Sequence, residues 1–431
     1  MENKLLLGVG REIITPAVGC QLFGYSPDIF SDSVHDDLTL SAFYFEQGAV
    51  KALLLSATLC SMHTALCNEI LQMIEQEYDI PADNCILHTT HTHSGPNTTG
   101  SVGWGDIDRN YCDTVLIPAA RRVVAKAVSA PQAVTVAVRQ GESRVGINRR
   151  QLTLENKVIL GQNPWGPFDP RMTVLSFMND DGATVANLIH YGCHGTASGK
   201  NTQISRDWSG VMIDVMEEQT GALTAFINGP EGDVGPRLTN GRTVGEMHVR
   251  YALELGGVAA QDAMRIRRQP AAPIAPTLSV SKRTLQIPFA ARVPLEVAQS
   301  EVEQFRGHTS NLKAKKLHYY ERVIASYTED YVEQDALAVP QTVICIGDVA
   351  IVSFPLELFC EIGMRIAEAS PYAYTLSLSN SNGCQGYFVT EDQIIRGGYE
   401  VGMYQTTNLQ PYAPHADHQV VLQTLAHLKG E

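Results

Sequence analysis

Residues 49–90, AVKALLLSATLCSMHTALCNEILQMIEQEYDIPADNCILHTT, decide the fold class. AVKALLLSA (49–57) is a near-continuous apolar run, the pattern of a strand buried on both faces. Leu66, Ile70, Met73 and Ile74 then recur at helical spacing, so a helix with one apolar face follows and ends near Pro81. CILHTT (85–90) reads as a second strand. Strand, helix and strand at these lengths make a βαβ unit with a parallel pair.

The alternation continues outward from that unit. A helix is expected over roughly 110–129. RMTVLSFM (171–178) and TVANLIHYG (184–192), joined by NDDG, carry hairpin chemistry. GVMIDVMEEQTG (210–221) is a helix closed by glycine, and ALTAFIN (222–228) a buried strand entering a Gly-rich loop. TVICIGDVAIVSF (342–354) is a second hairpin, followed by a helix at about 357–369, a strand at 374–380 and a short helix at about 416–428. The expected fold is therefore α/β: mixed β-sheets layered with helices in a single large catalytic domain, residues 1–431. IRRQPAAPIAP (266–276) loses periodicity and reads as a surface connection within that domain.

Composition narrows the partners. With 44% hydrophobic and 18% charged residues, the chain has the make-up of a globular protein with a large core. A net charge of −14 argues against a nucleic-acid partner or an anionic membrane surface, both of which call for excess Lys and Arg. The apolar stretch in MENKLLLGVGREIITP is too short for a secretory signal, and no window has the length of a membrane span. The nine cysteines are scattered, odd in number and free of any C-x-x-C pair, which suits reduced thiols; a cytoplasmic location is expected.

Four stretches carry chemistry. His91 and His93 stand two apart at an expected strand end, where both imidazoles project to one face; His88 falls on the other. HYGCHGT (190–196) offers His190 and His194, and if the strand turns at Gly192 only one of them reaches the same side. NGPEGDVGP (228–236) is a dense turn whose backbone N–H groups at Gly232, Asp233 and Gly235 form a candidate oxyanion loop; it lacks the Gly-Lys-Ser/Thr of a P-loop. In FPLELFCE (354–361), Glu357 is a carboxylate among apolar neighbours and needs a partner that a metal would supply. Tyr387 and Tyr399 lie beside glycines in GYFVT (386–390) and GGYE (397–400). Trp104, Trp165 and Trp208 fall in expected loops near these stretches.

Together and in this order, GVGREIITP with GY at 24–25, THTHSGP (90–96), GINRR (146–150), His194 with ISRDWSG, NGPEGDVGP, FPLELFCEIG (354–363) and GYFVT…GGYE resemble the neutral/alkaline ceramidase family. Members of that family are metal-dependent amidases that cleave an N-acyl sphingoid base. The resemblance implies that His91, His194, Glu357 and Tyr387 are zinc ligands, and that His93, Arg149 and Tyr399 line the scissile group. It also implies a Zn2+-activated water attacking a carbonyl, with His93 or Arg149 stabilising the oxyanion and His93 serving the leaving group.

Two departures follow. The family's loop usually carries Ser before Pro, where this chain has Gly235, so a serine nucleophile is excluded at that position. The secreted members are longer, with a further C-terminal β-sandwich-type domain. The expected substrate is accordingly a small soluble amide in place of membrane ceramide. A carboxylic-ester or lactone hydrolase and a non-catalytic ligand-sensing homologue remain the alternatives.

Overall fold

Alternate side chains of the strand Val50–Ala57 go to two different cores, which is why its sequence is apolar throughout. Leu53 and Leu55 pack beneath helices, while Leu54 turns inward with Phe43, Phe45 and Ile86. The computed structural model describes residues 4–239, 249–274, 276–308, 310–328 and 331–431. Residues 1–3 of the N-terminal stretch and position 275 of the 266–276 connection lie outside it.

The first sheet contains β1 (Leu6–Ile13), β2 (Thr39–Gln47), β3 (Val50–Ala57) and β4 (Cys85–Thr89), with β3 and β4 parallel and α1 (Thr64–Tyr78) crossing between them. Helices α1 and α2 (Ile117–Ser129) cover its outer face. A π turn at Cys112–Leu116 leads into α2. The second sheet is built from β5 (Thr135–Glu142), β6 (Arg171–Met178), β7 (Thr184–Tyr191) and β8 (Leu223–Asn228). Strands β6 and β7 form the expected hairpin, and β7 runs parallel to β8. Helices α3 (Asp207–Thr220) and α4 (Arg250–Arg267) cover this sheet.

The third sheet holds β9 (Leu278–Pro288), β10 (Ala336–Ile346), β11 (Val349–Ser353) and β12 (Tyr374–Leu378). Its last pair is again parallel, and α5 (Cys360–Ala369) and α6 (Ala416–Lys429) pack outside it. The inner faces of all three sheets meet in one core, represented by Phe45, Phe177 and Ile351. The architecture is thus mixed β-sheets layered with helices.

Three local readings change. The 266–276 stretch is less irregular than expected, because α4 runs to Arg267 and Ala272–Ile274 adds an edge strand beside β5. Glu357 lies on a two-residue strand, Glu357–Leu358, paired with Tyr387–Phe388, and the helix begins only at Cys360. That pairing binds the two motifs FPLELF and GYFVT to each other, a long-range effect that overrides helical spacing. Trp208 sits at the start of α3 and is fully buried, not in a loop.

Candidate functional site

In each sheet, a parallel pair ends at the same side of the molecule, and the polar residues follow those ends. His91 lies just beyond β4, His194 beyond β7, Glu231 beyond β8, Glu357 beyond β11 and Asn380 beyond β12. Residues outside the carboxyl ends of parallel strands converge on a crevice because no ladder partner continues there. One ligand atom from each of His91, His194 and Glu357 lies within 4.8 Å of the other two. The Glu357 carboxylate is 3.4 Å from His91 Nε2 and 3.5 Å from His194 Nε2.

The outer nitrogens of both imidazoles are occupied, which fixes the tautomer. His91 Nδ1 donates to the Cys60 carbonyl at 2.8 Å. His194 Nδ1 is shared between the carbonyls of Glu231 at 2.8 Å and Val234 at 3.0 Å. Both Nε2 atoms are thereby bared toward Glu357, the arrangement that orients metal-binding histidines. Trp208 Nε1 donates to the His194 carbonyl at 2.9 Å and anchors the loop from beneath. Burial lowers the pKa of His91, His93 and His194, keeping them in the neutral, ligating form.

The donor set fits a divalent ion of the zinc type. Glu357 is 7% exposed, yet among the described residues its Oε2 has no hydrogen-bond partner. A buried carboxylate oxygen left open is costly unless a cation satisfies it. Two imidazoles and one carboxylate are a recognised zinc ligand set. The Tyr387 hydroxyl, 3.2 Å from His194 Nε2, and His93 Nε2, 3.2 Å from His91 Nε2, both stand at the rim of this set. Cys60 forms an overlapping group with His91 and His93, but burial pushes its thiol well up and away from the ligating thiolate.

His91 does not owe its direction to an extended strand, as its spacing suggested. Its φ is 67°, so the strand has already ended, and the pair converges through a turn. His93 in turn packs on Gly24, where a Cβ would lie 2.3 Å from its ring, so only glycine fits there. His88 is wholly buried on the far side, bonded to Ser379 and to the Asn228 N–H. The chain turns at Gly192, and His190 stays behind on the Ser377 carbonyl.

Arg149 donates from Nε to Glu400 at 3.0 Å and lies over the Tyr387 ring, 5.3 Å from its centroid. Its Nη2 is buried without a hydrogen-bond partner among the described residues. Burial opposes its charge, but Tyr387, Glu400 and Glu357 outweigh that and hold the guanidinium proton more tightly. Tyr399 packs edge-on against Tyr387 at 5.7 Å. Two cavities, about 400 and 440 Å3, meet at this point, and Gly24, His93, Trp104, Tyr387 and Tyr399 line both.

In the expected oxyanion loop, Gly232 turns its donor away from the cavity. Gly232 N–H goes to the Leu358 carbonyl at 2.8 Å, and Asp233 accepts from the Cys360 N–H at 2.7 Å. Gly235 is paired with Ile147 in a short ribbon and does line the larger cavity. These contacts splice the loop to the FPLELFC segment.

Glu231, which spacing did not single out, is fully buried behind His91 and His194. Its carbonyl holds His194, and its side chain accepts from Asn380 Nδ2 at 2.7 Å, the same amide being 3.2 Å from His91 Nδ1. A carboxylate in a Gly/Pro turn directly after a buried strand was the available signal.

The model of the family described as neutral/alkaline non-lysosomal ceramidase, N-terminal, matches residues 5–247. Neutral ceramidase A of Dictyostelium discoideum is 25% identical over 274 residues, 56% of this chain and 37% of that protein. Neutral ceramidase of Pseudomonas aeruginosa is 24% identical over 287 residues, 60% of this chain and 42% of that protein. The match thus spans about two fifths of the length of these relatives. The crystal structure of neutral ceramidase from Pseudomonas aeruginosa shares the fold with a TM-score of 0.76 at 19% identity, covering 99% of this chain and 74% of that one. A ceramidase complexed with C2 gives a TM-score of 0.75 at 17% identity, covering 99% and 75%.

Proposed function

The chain belongs to the neutral/alkaline non-lysosomal ceramidase family, whose model matches more than half of it, and on that premise we propose that it is a zinc-dependent hydrolase of an amide bond in a small soluble substrate. The observation that carries this reading is the open Glu357 oxygen, in the wall of the smaller cavity, facing two bared imidazole nitrogens. His91, His194 and Glu357 would hold the ion, with Tyr387 as the fourth donor. When bound, zinc would supply Lewis-acid polarisation of the scissile carbonyl and of water.

The other residues have definable tasks. The unpartnered Arg149 Nη2 is positioned to receive the charge that develops on the carbonyl oxygen. Glu400 fixes that guanidinium from behind. His93, neutral in the resting site, exchanges a proton at Nε2 with the departing nitrogen. Water adds its hydroxyl to the carbonyl carbon and its remaining proton to the amine as the C–N bond breaks. Gly235 contributes no hydroxyl, so the nucleophile is water itself. Cavities of about 400 and 440 Å3 have the size of small-molecule sites. Nine free thiols support a reducing compartment, and we assign the protein to the cytoplasm.

Metal analysis of the purified protein tests the reading. One zinc per chain is expected, lost in both His91→Ala and Glu357→Ala; a wild-type protein without stoichiometric metal would overturn it. A panel of N-acyl amides, esters and lactones then separates amide hydrolysis from the ester and lactone alternative.

A further inference from the structure

We infer that the larger cavity is an anion-selecting subsite and that the amide cleaved beside it carries a carboxylate, recognised by Lys200. This rests on the amide-hydrolase reading for the identity of the substrate, and on the cavity's own chemistry for the charge. The two cavities differ sharply in that chemistry. Among its described lining residues, the larger one has two cations, Arg149 and Lys200, and no Asp or Glu. The smaller, among its described lining residues, has Glu357 and no Lys or Arg. In a chain of net charge −14, an acid-free wall with two cations departs from the background and calls for an anionic ligand.

The two cations do different work. Arg149 is tied to Glu400 and lies over Tyr387, which commits it to the scissile group. Lys200 is the cation left for a more distant part of the substrate.

Its backbone is held in place. Gly199 closes a turn onto the Thr196 carbonyl at 3.1 Å. On the other side, buried Asn201 bonds the Gly199 carbonyl at 2.9 Å and Ser94 Oγ at 3.0 Å. Asp207, itself 1% exposed, accepts from Ala197 N at 3.0 Å and Ser198 N at 2.8 Å. A charge on a pinned loop selects more sharply than one on a mobile loop. Lys200 also acts on the exposed Asp28, whose carboxyl is held low first by the Ser26 hydroxyl and only lastly by Lys200. Such an exposed pair is weak and yields to a better-placed carboxylate.

Three matched amides test the assignment on the zinc-loaded protein. N-hexanoyl-phenylalanine has its carboxylate on the amine half, N-phenethyl-succinamic acid on the acyl half, and N-hexanoyl-phenethylamine has none. At least one anionic amide should exceed the neutral one in kcat/KM by about tenfold, the scale of a charge-assisted contact. Which anionic amide leads tells which half of the substrate occupies the cavity. Lys200→Met should lower the anionic-to-neutral ratio about tenfold, while Lys200→Arg keeps most of it. A neutral amide cleaved as well as both anionic ones, or a ratio untouched by Lys200→Met, overturns the subsite. If none of the three is cleaved, calorimetric binding of the same compounds decides. Tighter anionic binding that Lys200→Met abolishes keeps the subsite and removes the amide-hydrolase reading; equal binding removes the subsite.

Discussion

Glu357 and Glu400 are both buried carboxylates, 7% and 1% exposed, and both act on Arg149, yet their surroundings are opposite. Glu400 is closed: Arg149 Nε donates to one oxygen at 3.0 Å, and Arg150 Nη1 to the other. Glu357 is open: its Oε2 faces two imidazoles that burial keeps neutral, and among the described residues no hydrogen bond reaches that oxygen. A charge fully matched by protein groups is a structural device, because nothing remains for a ligand to satisfy. A charge left open at the floor of a cavity is a binding site, because the fold carries a cost that only a ligand offsets.

Replacing each by its amide breaks this comparison most directly. Glu357→Gln should lose zinc and lower turnover on the order of a thousandfold or more. Yet its metal-free form should melt at or above the metal-free wild type, since an unpartnered buried charge has been removed. Glu400→Gln should do the reverse, retaining zinc while costing about 3–5 kcal/mol of stability, because two buried guanidinium groups lose their counter-charge. Zinc analysis and thermal melts of both variants read this crossing of signs; two variants with the same profile would erase the distinction.

Glu231 sharpens it from behind His91 and His194, the proposed metal ligands. It is closed toward Asn380 and open at Oε2; its carbonyl holds His194, and the Asn380 amide it fixes packs 3.2 Å from His91 Nδ1. Glu231→Gln should leave the ligands in place but weaken zinc about ten- to a hundredfold, as outer partners of metal-bound histidines do. Chelator competition measures this without reference to activity; an unchanged affinity would make Glu231 a packing residue only.

The comparison also shows what the sequence discloses. The βαβ unit at 49–90 was legible because its signals are local: a continuous apolar run where β3 faces two cores, and helical spacing in α1. The donor types at His91, His194 and Glu357 were legible as polar residues breaking apolar strand ends. Their convergence was not legible in spacing and was implied only by the family resemblance, since it depends on three parallel pairs from distant segments ending at one side. Nor could spacing tell open from closed: Glu357 and Glu400 each sit in an ordinary apolar setting until Arg150 arrives, with Arg149, from the far side of the chain. The left-handed turn at His91 and the strand pairing at Glu357 were hidden for the same reason, being imposed by tertiary contacts.

Lys315 is a third kind of buried charge, with neither a carboxylate nor a ligand cavity. It is 3% exposed, donates to the Gly402 carbonyl at 2.8 Å, and burial lowers its pKa from 10.5 to about 7. Between those two values the unfolded chain binds the extra proton, so this residue makes stability rise with pH from about 7 to 10.5. Lys315→Met should flatten that rise and stabilise the protein at neutral pH by on the order of 2 kcal/mol, the relief of burial less the lost hydrogen bond. Denaturant melts across that pH range check both; a variant with the wild-type slope would place the ammonium in water.

The smallest effect is expected where the family's loop serine is missing. Gly235 lies in a short ribbon, and a Cβ there would meet only Arg149 Cβ at 3.5 Å and Cδ at 3.7 Å, ordinary contact distances. A hydroxyl therefore fits without moving the backbone, and Gly235→Ser should change stability by less than about 0.5 kcal/mol. Its effect on turnover discriminates between two nucleophiles. If water attacks, the added hydroxyl has no step to perform, and kcat/KM should change by less than about threefold. If the open Glu357 site works only with a serine beside Arg149, the variant should gain about a hundredfold or more and accumulate an acyl-enzyme detectable by mass spectrometry. That gain would show a site impaired at its nucleophile; its absence would mean that the open carboxylate and its ion are sufficient.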